Sequence, residues 1–573
     1  MGNGSYAAQC HADLAFSPPE PLASVPARIA ALMAPPALAA VSAVLISLAL
    51  PPAGIHPLAW VCLVPLLLAI RSCRSASSSA LCSIVFVLLF GSVYAYWLPG
   101  TLAVFFRLSS GTAWLWALAV YAAFGILPIG LFAALAHGLL RHRTPWVILA
   151  GVPMLWVAAE LFRVHLLGGL PWALLGHALY RQPTLIQISD FAGVLGVSFL
   201  ISLVNIGVFL ALRGPGRGRS RLVSTAIAVG LVGAAWLYGT TRLDQTSRSP
   251  VDSKITVGIL QPNRPPVYRW TQVAADRALL SYLRLSQQHF ANKDLNLIVW
   301  PENAIPLYPD RDYNLATRLV QFTRAIGAPL VLGAPAAGGN GSEPSAFNAA
   351  HLIIPEQGLA ATYRKQRLVP FAEYRPLGRN PVGDKSASAF AAGDGPTIFA
   401  ASGVRWGPTI CLDFVFADVV RASVRAGAEV LLNLSNDSWL AAGGRGAAEQ
   451  QHAQAIFRAV ENRRDVIRAT TTGISAAVSA TGIPQAMLGE GESGALIAHV
   501  TRRQGLTVYS RWGDLFAIGC SVLSVLILIG PSCRRHLSLK QYQSGPISPS
   551  PTMPIEHRGD SRRRRPGWSG ASK

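Results

Sequence analysis

Residues 404–418 read Val404-Arg-Trp-Gly-Pro-Thr-Ile410-Cys411-Leu-Asp-Phe-Val-Phe-Ala-Asp418. Val404 to Ile410 is an apolar run of strand length, and Ala417 to Ala426 has helical spacing. Cys411 therefore stands at a strand-to-helix turn, which presents a side chain at the edge of a sheet as a nucleophile. A thiol there also lies near a helix N-terminus, whose dipole favours thiolate.

The same alternation extends to both sides. Upstream, Ile255–Leu260, Leu297–Trp300 and Pro329–Gly333 read as strands, separated by helical periodicity over Ala274–Phe290 and Leu315–Ala325. Ala350–Ile354 and Leu359–Tyr363 read as a strand pair around Gly358. Downstream, Val430–Leu434 is a strand, Ala447–Arg463 a helix, and Val466–Thr470 and Ile474–Val478 strands. Strands alternating with helices predict an α/β domain, and the apolar strand runs predict sheets covered on both faces.

Further out the chain changes material. Of its 573 residues 51% are hydrophobic and only 13% charged, about half the charge of a soluble protein. Apolar blocks fill the region from Pro35 to Tyr238 and recur from Leu515 to Ile529. At about 20 apolar residues per bilayer crossing, they predict about eight spans: 36–52, 56–72, 79–98, 113–138, 146–163, 191–212, 221–239 and 514–532. The net charge of +21 fits this topology better than nucleic-acid binding. Arg71 and Arg74, Arg141 and Arg143, the Arg213–Arg221 run, and Arg534 and Arg535 all follow even-numbered spans. Basic loops stay on the cytoplasmic side, so both termini are expected inside and residues 240–513 outside. Arg107, Arg163 and Arg181 on odd-numbered loops soften the contrast. The expected organisation is a disordered tail (1–35), a bundle of seven spans (36–239), an outer α/β domain (240–513), a last span (514–532) and a basic cytoplasmic tail (533–573). Proline-rich residues 1–30 offer no clean signal peptide. Loop 164–190, with Leu170-Pro-Trp172, is too apolar for a free loop and too glycine-rich for a span. An interfacial or re-entrant segment is predicted, with Trp172 at headgroup level; a structural plug and a substrate-guiding role both fit it.

Cysteine usage narrows the chemistry. Of seven cysteines only Cys411 falls in the outer domain. An oxidising compartment pairs its thiols, so a lone one is either buried and inert or kept for reactivity. Glu302, after Trp300-Pro301 at a strand end, has apolar neighbours that would raise its pKa toward that of a useful base. Alone, such a Glu also reads as a cap or surface charge. Lys365, between two arginines, also reads as a solvated face.

Taken together, Trp300-Pro301-Glu302, Tyr363-Arg-Lys365 with Leu368-Val-Pro-Phe-Ala-Glu373-Tyr374, and Ile410-Cys411 followed by Ser435-Asn-Asp437-Ser-Trp439 resemble the three signatures of the nitrilase superfamily. With the apolar bundle they resemble its membrane-bound apolipoprotein N-acyltransferase family. The likeness continues through Gly193-Val-Leu-Gly-Val-Ser198-Phe, Gln261-Pro-Asn263, Trp270, Gln451-His452, Arg468-Ala-Thr, Gly473-Ile-Ser and Arg511-Trp-Gly-Asp514. It implies an αββα sandwich of two sheets. It implies Glu302 as general base, Lys365 as oxyanion stabiliser, Cys411 as nucleophile and Glu373 as support for Lys365. Trp270, Trp439 and Trp172 would border the lipid path. The expected reaction moves an acyl chain from a phospholipid, through a Cys411 thioester, to the α-amine of a diacylglyceryl-cysteine on an apolipoprotein. The setting implied is the bacterial inner membrane, with the catalytic domain on the periplasmic side. No metal or cofactor is implied, and His452 has no second ligand at metal spacing. A membrane-tethered amidase and a non-catalytic lipoprotein-binding paralogue remain alternatives. The chain departs from the family pattern at Ala372, at Thr471-Thr472, and at Leu412-Asp413, where an aromatic and a Glu are common. The shorter Asp413 is expected to lengthen or move a carboxylate contact, slowing aminolysis of the thioester.

Overall fold

The computed structural model describes residues 25–213, 218–248, 255–264, 271–338, 346–374 and 390–543. Each of the eight apolar blocks is helical. Five helices are long and apolar enough to cross a membrane: Ala76–Tyr94, Ser110–His142, Pro145–Gly168, Ser189–Arg213 and Arg221–Thr246. Three apolar segments are shorter: Ala34–Ala49, His56–Ser72 and Leu515–Ile529. The first belongs to a helix that begins at Val25, and the last to one that continues to Gln543. Local signals set the helix starts. Ser75 caps Ala76–Tyr94 through a reciprocal bond with Ser78, and Pro145 opens Pro145–His165, where its missing N–H costs nothing. Ser189–Arg213 is the centre of the bundle, with 78% of its apolar window buried against 22% for Arg221–Thr246.

The α/β domain contains twelve strands among the described residues. They are β1 (Ile255–Gln261), β2 (Leu297–Val299), β3 (Leu330–Ala337), β4 (Ala346–Ile354), β5 (Gly358–Arg364), β6 (Phe399–Ala401), β7 (Val404–Ile410), β8 (Val430–Ser435), β9 (Asp465–Thr470), β10 (Ser475–Val478), β11 (Pro484–Leu488) and β12 (Gly494–Val500). They form two six-stranded sheets, in the orders β12-β1-β2-β3-β4-β5 and β11-β10-β9-β8-β7-β6. Parallel pairing occupies the middle of each, β1-β2-β3 and β7-β8-β9, with antiparallel strands outside. Ile255, Val257, Val299, Val331 and Tyr363 of one sheet meet Trp406, Ile410, Val430, Leu432 and Ile467 of the other in one apolar core. Helices Gln272–Phe290 and Tyr313–Ile326 cover the outer face of the first sheet. The expected sandwich is therefore present. Strands β6, β11 and β12 were not legible in the sequence: β6 is three residues long, and β11 and most of β12 are partly exposed and carry no strict alternation.

Residues 25–525 form one compact unit, and the chain from Leu526 is a second. Within the first, helix Ala447–Asn462 is buried along its length except at Glu449. One side faces the sheet and the other the bundle, where Glu461 accepts the Val194 N–H at 3.0 Å. Gln450 ties the two regions further. It accepts from the indoles of Trp97 (3.2 Å) and Trp172 (2.8 Å) and donates to the Tyr94 carbonyl (2.9 Å). The α/β domain is thus seated on the helices by buried hydrogen bonds as well as apolar contact.

Candidate active site

Strand ends of both sheets converge on one buried cluster. Glu302 follows β2, Lys365 follows β5 and Cys411 follows β7. All three are almost sealed from solvent, at 4%, 1% and 3% exposure. The Lys365 Nζ lies 3.1 Å from Glu302 Oε1 and 2.9 Å from Glu373 Oε1. Asn348 of β4 donates through one Nδ2 to both of those oxygens, at 2.7 Å each. The other oxygen of Glu302 accepts the Asn436 N–H at 2.7 Å, and that of Glu373 accepts the Val369 N–H at 2.7 Å. One ammonium thus holds two carboxylates whose remaining lone pairs are fixed by neutral donors. A buried charge cluster persists only when paired and hydrogen-bonded in this way.

The backbone shows how the cluster is held. Cys411 has φ +47°, a left-handed conformation costing about 1–3 kcal/mol for a non-glycine residue. Gly333 lets the Glu302 loop approach β3, since a Cβ there would lie 2.5 Å from the Glu302 Cα. Gly473 does the same for Asp437, whose carboxylate would meet a Cβ at 2.0 Å. Asp437 is paired with buried Arg468 at 2.8 Å and accepts from Ser435, which fixes the loop whose Asn436 N–H reaches Glu302.

The charges act on one another. Burial pushes the Glu302 carboxyl up, with help from the Glu373 charge, while Lys365 holds it down. Burial alone would lower Lys365, but Glu302 and Glu373 overcome that and keep its ammonium charged well above the usual lysine range. The Cys411 thiol is pushed up, first by burial and then by the charge of Glu302, against an opposing pull from Lys365. The expectation of a dipole-stabilised thiolate is thereby corrected. Cys411 opens a short 3-10 turn, Cys411–Val415, and the α-helix begins only at Ala417.

Asp413, where a Glu is common in the family, accepts four hydrogen bonds. It accepts from Tyr363 Oη (2.7 Å), the N–H groups of Arg367 (2.6 Å) and Gln366 (3.1 Å), and the Ile410 N–H (3.2 Å). It therefore clamps the segment after Lys365 to the turn that bears Cys411. Burial raises its carboxyl to about 6, with Lys365 and these donors opposing the rise. Asp413→Glu adds a methylene at a site with 0% exposure. The expected loss is about 1–3 kcal/mol by overpacking, read as a lower Tm of the purified protein; an unchanged Tm would mean the site has slack.

Trp172 and Trp439 are both partly buried against one small apolar cluster. Both pack with Trp97, Leu440 and Ala447, and Trp172 also joins Leu412, Val415, Phe416 and Val419 beside the turn that bears Cys411. In the loop around Trp172, Ala173 to Tyr180 is buried. Trp270 lies outside the described residues. His452 is buried and its ring is pushed down to about 4, chiefly by burial. Sequence reading missed Asn348, for which the one available signal was a lone amide in the run Ala346–Ile354, whose one other polar side chain is His351.

A two-sheet α/β fold that gathers a carboxylate, an ammonium and a thiol in its interior, seated on an apolar helix bundle, defines a membrane-bound enzyme of the carbon-nitrogen hydrolase class. Residues 256–505 match the family model for carbon-nitrogen hydrolase, and residues 42–207 that for the apolipoprotein N-acyltransferase N-terminal domain. The apolipoprotein N-acyltransferase of Geobacter metallireducens is 31% identical over 479 residues, covering 82% of this chain and 89% of its own. That of Chlorobaculum tepidum is 27% identical over 523 residues, covering 84% and 93%. The chain belongs to the apolipoprotein N-acyltransferase family. Among solved structures, an amidase from Nesterenkonia sp. AN1 matches 44% of this chain and 92% of its own, at 19% identity and TM-score 0.32.

Proposed function

We propose that this enzyme moves an acyl chain from a phospholipid to the N-terminal α-amine of a diacylglyceryl-cysteine lipoprotein, through a thioester on Cys411. The observation that carries the reading is the Lys365 ammonium held between Glu302 and Glu373 in the same sealed cluster as Cys411. Glu302 takes the thiol proton as sulfur attacks the ester carbonyl. The tetrahedral oxyanion is stabilised by the fixed charge of Lys365. On collapse the ester C–O bond breaks, Glu302 returns the proton to the departing oxygen, and a lysophospholipid leaves. The lipoprotein amine then attacks the thioester, Glu302 accepts its proton, and the C–S bond breaks to restore the thiol. Glu373 positions Lys365, and Trp172 and Trp439 guide the acyl chain from the membrane to the thiol. The test is single-turnover mass spectrometry: phospholipid alone should load one acyl group on the protein, and a diacylglyceryl peptide should remove it as an amide. Release as free fatty acid at the same rate with and without peptide would make the enzyme a hydrolase.

The same proposal places the catalytic domain on the periplasmic side of the inner membrane, with both termini cytoplasmic. Arg71, Arg141 and Arg143 at helix ends on one side of the bundle support it. A topology reporter fused near Pro250 should be active only outside the cytoplasm, and one fused after Lys540 only inside. An outside C-terminus would overturn the arrangement.

A further inference from the structure

A pocket of about 420 Å³ lies beside the loop that follows β8. Its lining includes Asn263, Ser438, Ala441, Arg445, Thr472 and Glu490. None of these belongs to the cluster around Cys411, yet a short piece of chain joins the two. Ile410, next to the thiol, pairs with Leu434 in the sheet. Two residues further on, the Asn436 N–H donates to Glu302. Ser438 of the pocket wall is at most about 7 Å beyond Asn436, the reach of two extended residues. The same loop is tied to the bundle. Tyr96, at the turn between helices Ala76–Tyr94 and Trp97–Phe105, donates its hydroxyl to the Arg445 carbonyl, and Thr101 donates to that of Leu440 at 3.2 Å. One loop thus connects the base of the cluster, the pocket and the helices.

The pocket's chemistry is mixed. Ala441 and Ala442 give it apolar surface, and its lining carries one cation, Arg445, against one anion, Glu490. Asp437 and Glu449 also act on Glu490, but they are paired with Arg468 and Arg181, at 2.8 Å each. A phosphate is held by several charged donors, and this lining has no such excess. Its other polar groups are neutral. The Thr472 hydroxyl is buried with no hydrogen-bond partner among the described residues, on a residue only 7% exposed. Ser438 donates its hydroxyl to Asn436 Oδ1 at 2.6 Å, which leaves its oxygen as an acceptor. Asn263, at φ +49°, sends its side-chain amide to the Gly491 carbonyl at 2.5 Å and its N–H to the Thr471 carbonyl at 2.8 Å. These bonds pin the exit of β1 between the end of β9 and the turn from β11 to β12, and so fix that side of the pocket. A buried hydroxyl without a partner is costly until a ligand supplies one.

We propose that this pocket seats the first residues of the acceptor polypeptide, those that follow its diacylglyceryl-cysteine. The inference rests on the transfer reaction proposed above and names where its second substrate is held. Each peptide group presents both an N–H and a C=O, which suits hydroxyls that donate and accept, and small apolar surface suits the side chains between them. The acceptor's acyl chains hold its cysteine at the membrane, so the chain beyond must leave past the junction of bundle and α/β domain, where the pocket lies. A peptide lodged there would bring the α-amine toward Glu302 and Cys411 and lower the acceptor concentration that aminolysis needs.

The test loads Cys411 of the full chain in detergent from dioleoyl phosphatidylethanolamine and follows decay of the thioester with two synthetic acceptors. One is a diacylglyceryl-cysteine pentapeptide; the other is diacylglyceryl-cysteine amide, which ends at the cysteine. The pentapeptide should reach its half-maximal rate at about tenfold lower concentration, the worth of one or two hydrogen bonds. Ala441→Phe, which fills the pocket from an exposed position, should erase that advantage. Thr472→Val, which removes the unpartnered hydroxyl without added bulk, should cut it by roughly threefold. The readout is the ratio between the two acceptors, which a general loss of folded protein does not move. Equal half-maximal concentrations in the native enzyme, or a native-like ratio in either folded variant, would overturn the proposal. Slower loading from phospholipid with the ratio kept would overturn it too, by assigning the pocket to the donor. Failure of native Cys411 to load at all would instead overturn the transfer reaction, and the pocket's role with it.

Discussion

Cys411→Ala is expected to abolish the acyl-enzyme, lowering turnover by roughly 10⁴-fold or more, as loss of a nucleophile does elsewhere. No other cysteine lies between residues 240 and 513. Cys62, Cys73, Cys82 and Cys520 are buried among the apolar helices, so none can stand in. The fold should survive, because alanine removes one sulfur from a small buried site and the strained turn is held by Asp413 rather than by the thiol. The measurement is intact-protein mass after incubation with phospholipid, alongside the thermal unfolding midpoint. Normal acylation of the lipoprotein by the alanine variant would sink the assignment of Cys411. Because burial, and then the Glu302 charge, push the thiol up, alkylation of the native protein by iodoacetamide should be slow at neutral pH.

The fold was legible where one residue type repeats locally. Apolar blocks gave the helices, because lipid admits little else, and strand runs with β-branched cores gave the parallel centres of both sheets. The lone cysteine of the α/β domain was legible by counting. What escaped the sequence is what only chain convergence creates. Asn348 matters because β4 sets it between Glu302 and Glu373, 46 and 25 residues away. Gly333 matters because a loop from another strand end crosses it. Asp413 reads as a shortened acid, yet the loop after β5 comes close enough to give it backbone donors. The same limit explains the thiol. A cysteine before a helix suggests dipole activation, whereas its net electrostatics come from burial and from a carboxylate that the sequence places far away.

Lys365→Ala is expected to lower the rate of thioester formation by about 10²–10³-fold through loss of oxyanion stabilisation alone. The full loss should be larger, because Lys365 has a second task. Its ammonium neutralises Glu302 and Glu373, both of which accept from the same Asn348 amide. Without it two carboxylates face each other in a site with almost no solvent, and breaking a buried pair in this way costs about 3–5 kcal/mol. The strain is relieved when one of them takes up a proton. If Glu302 takes it, the base proposed for Cys411 is lost along with the proposed oxyanion contact. Adding Glu373→Gln to Lys365→Ala separates the two tasks. It removes the surplus charge, keeps an acceptor near Asn348, and leaves Glu302 as the single acid. The double variant should recover most of the lost Tm while thioester formation stays at least about 10²-fold below native. The readouts are thermal unfolding and single-turnover loading of Cys411 from phospholipid. Recovery of the rate together with the Tm would show that Lys365 only balances charge, and would remove it from the reaction.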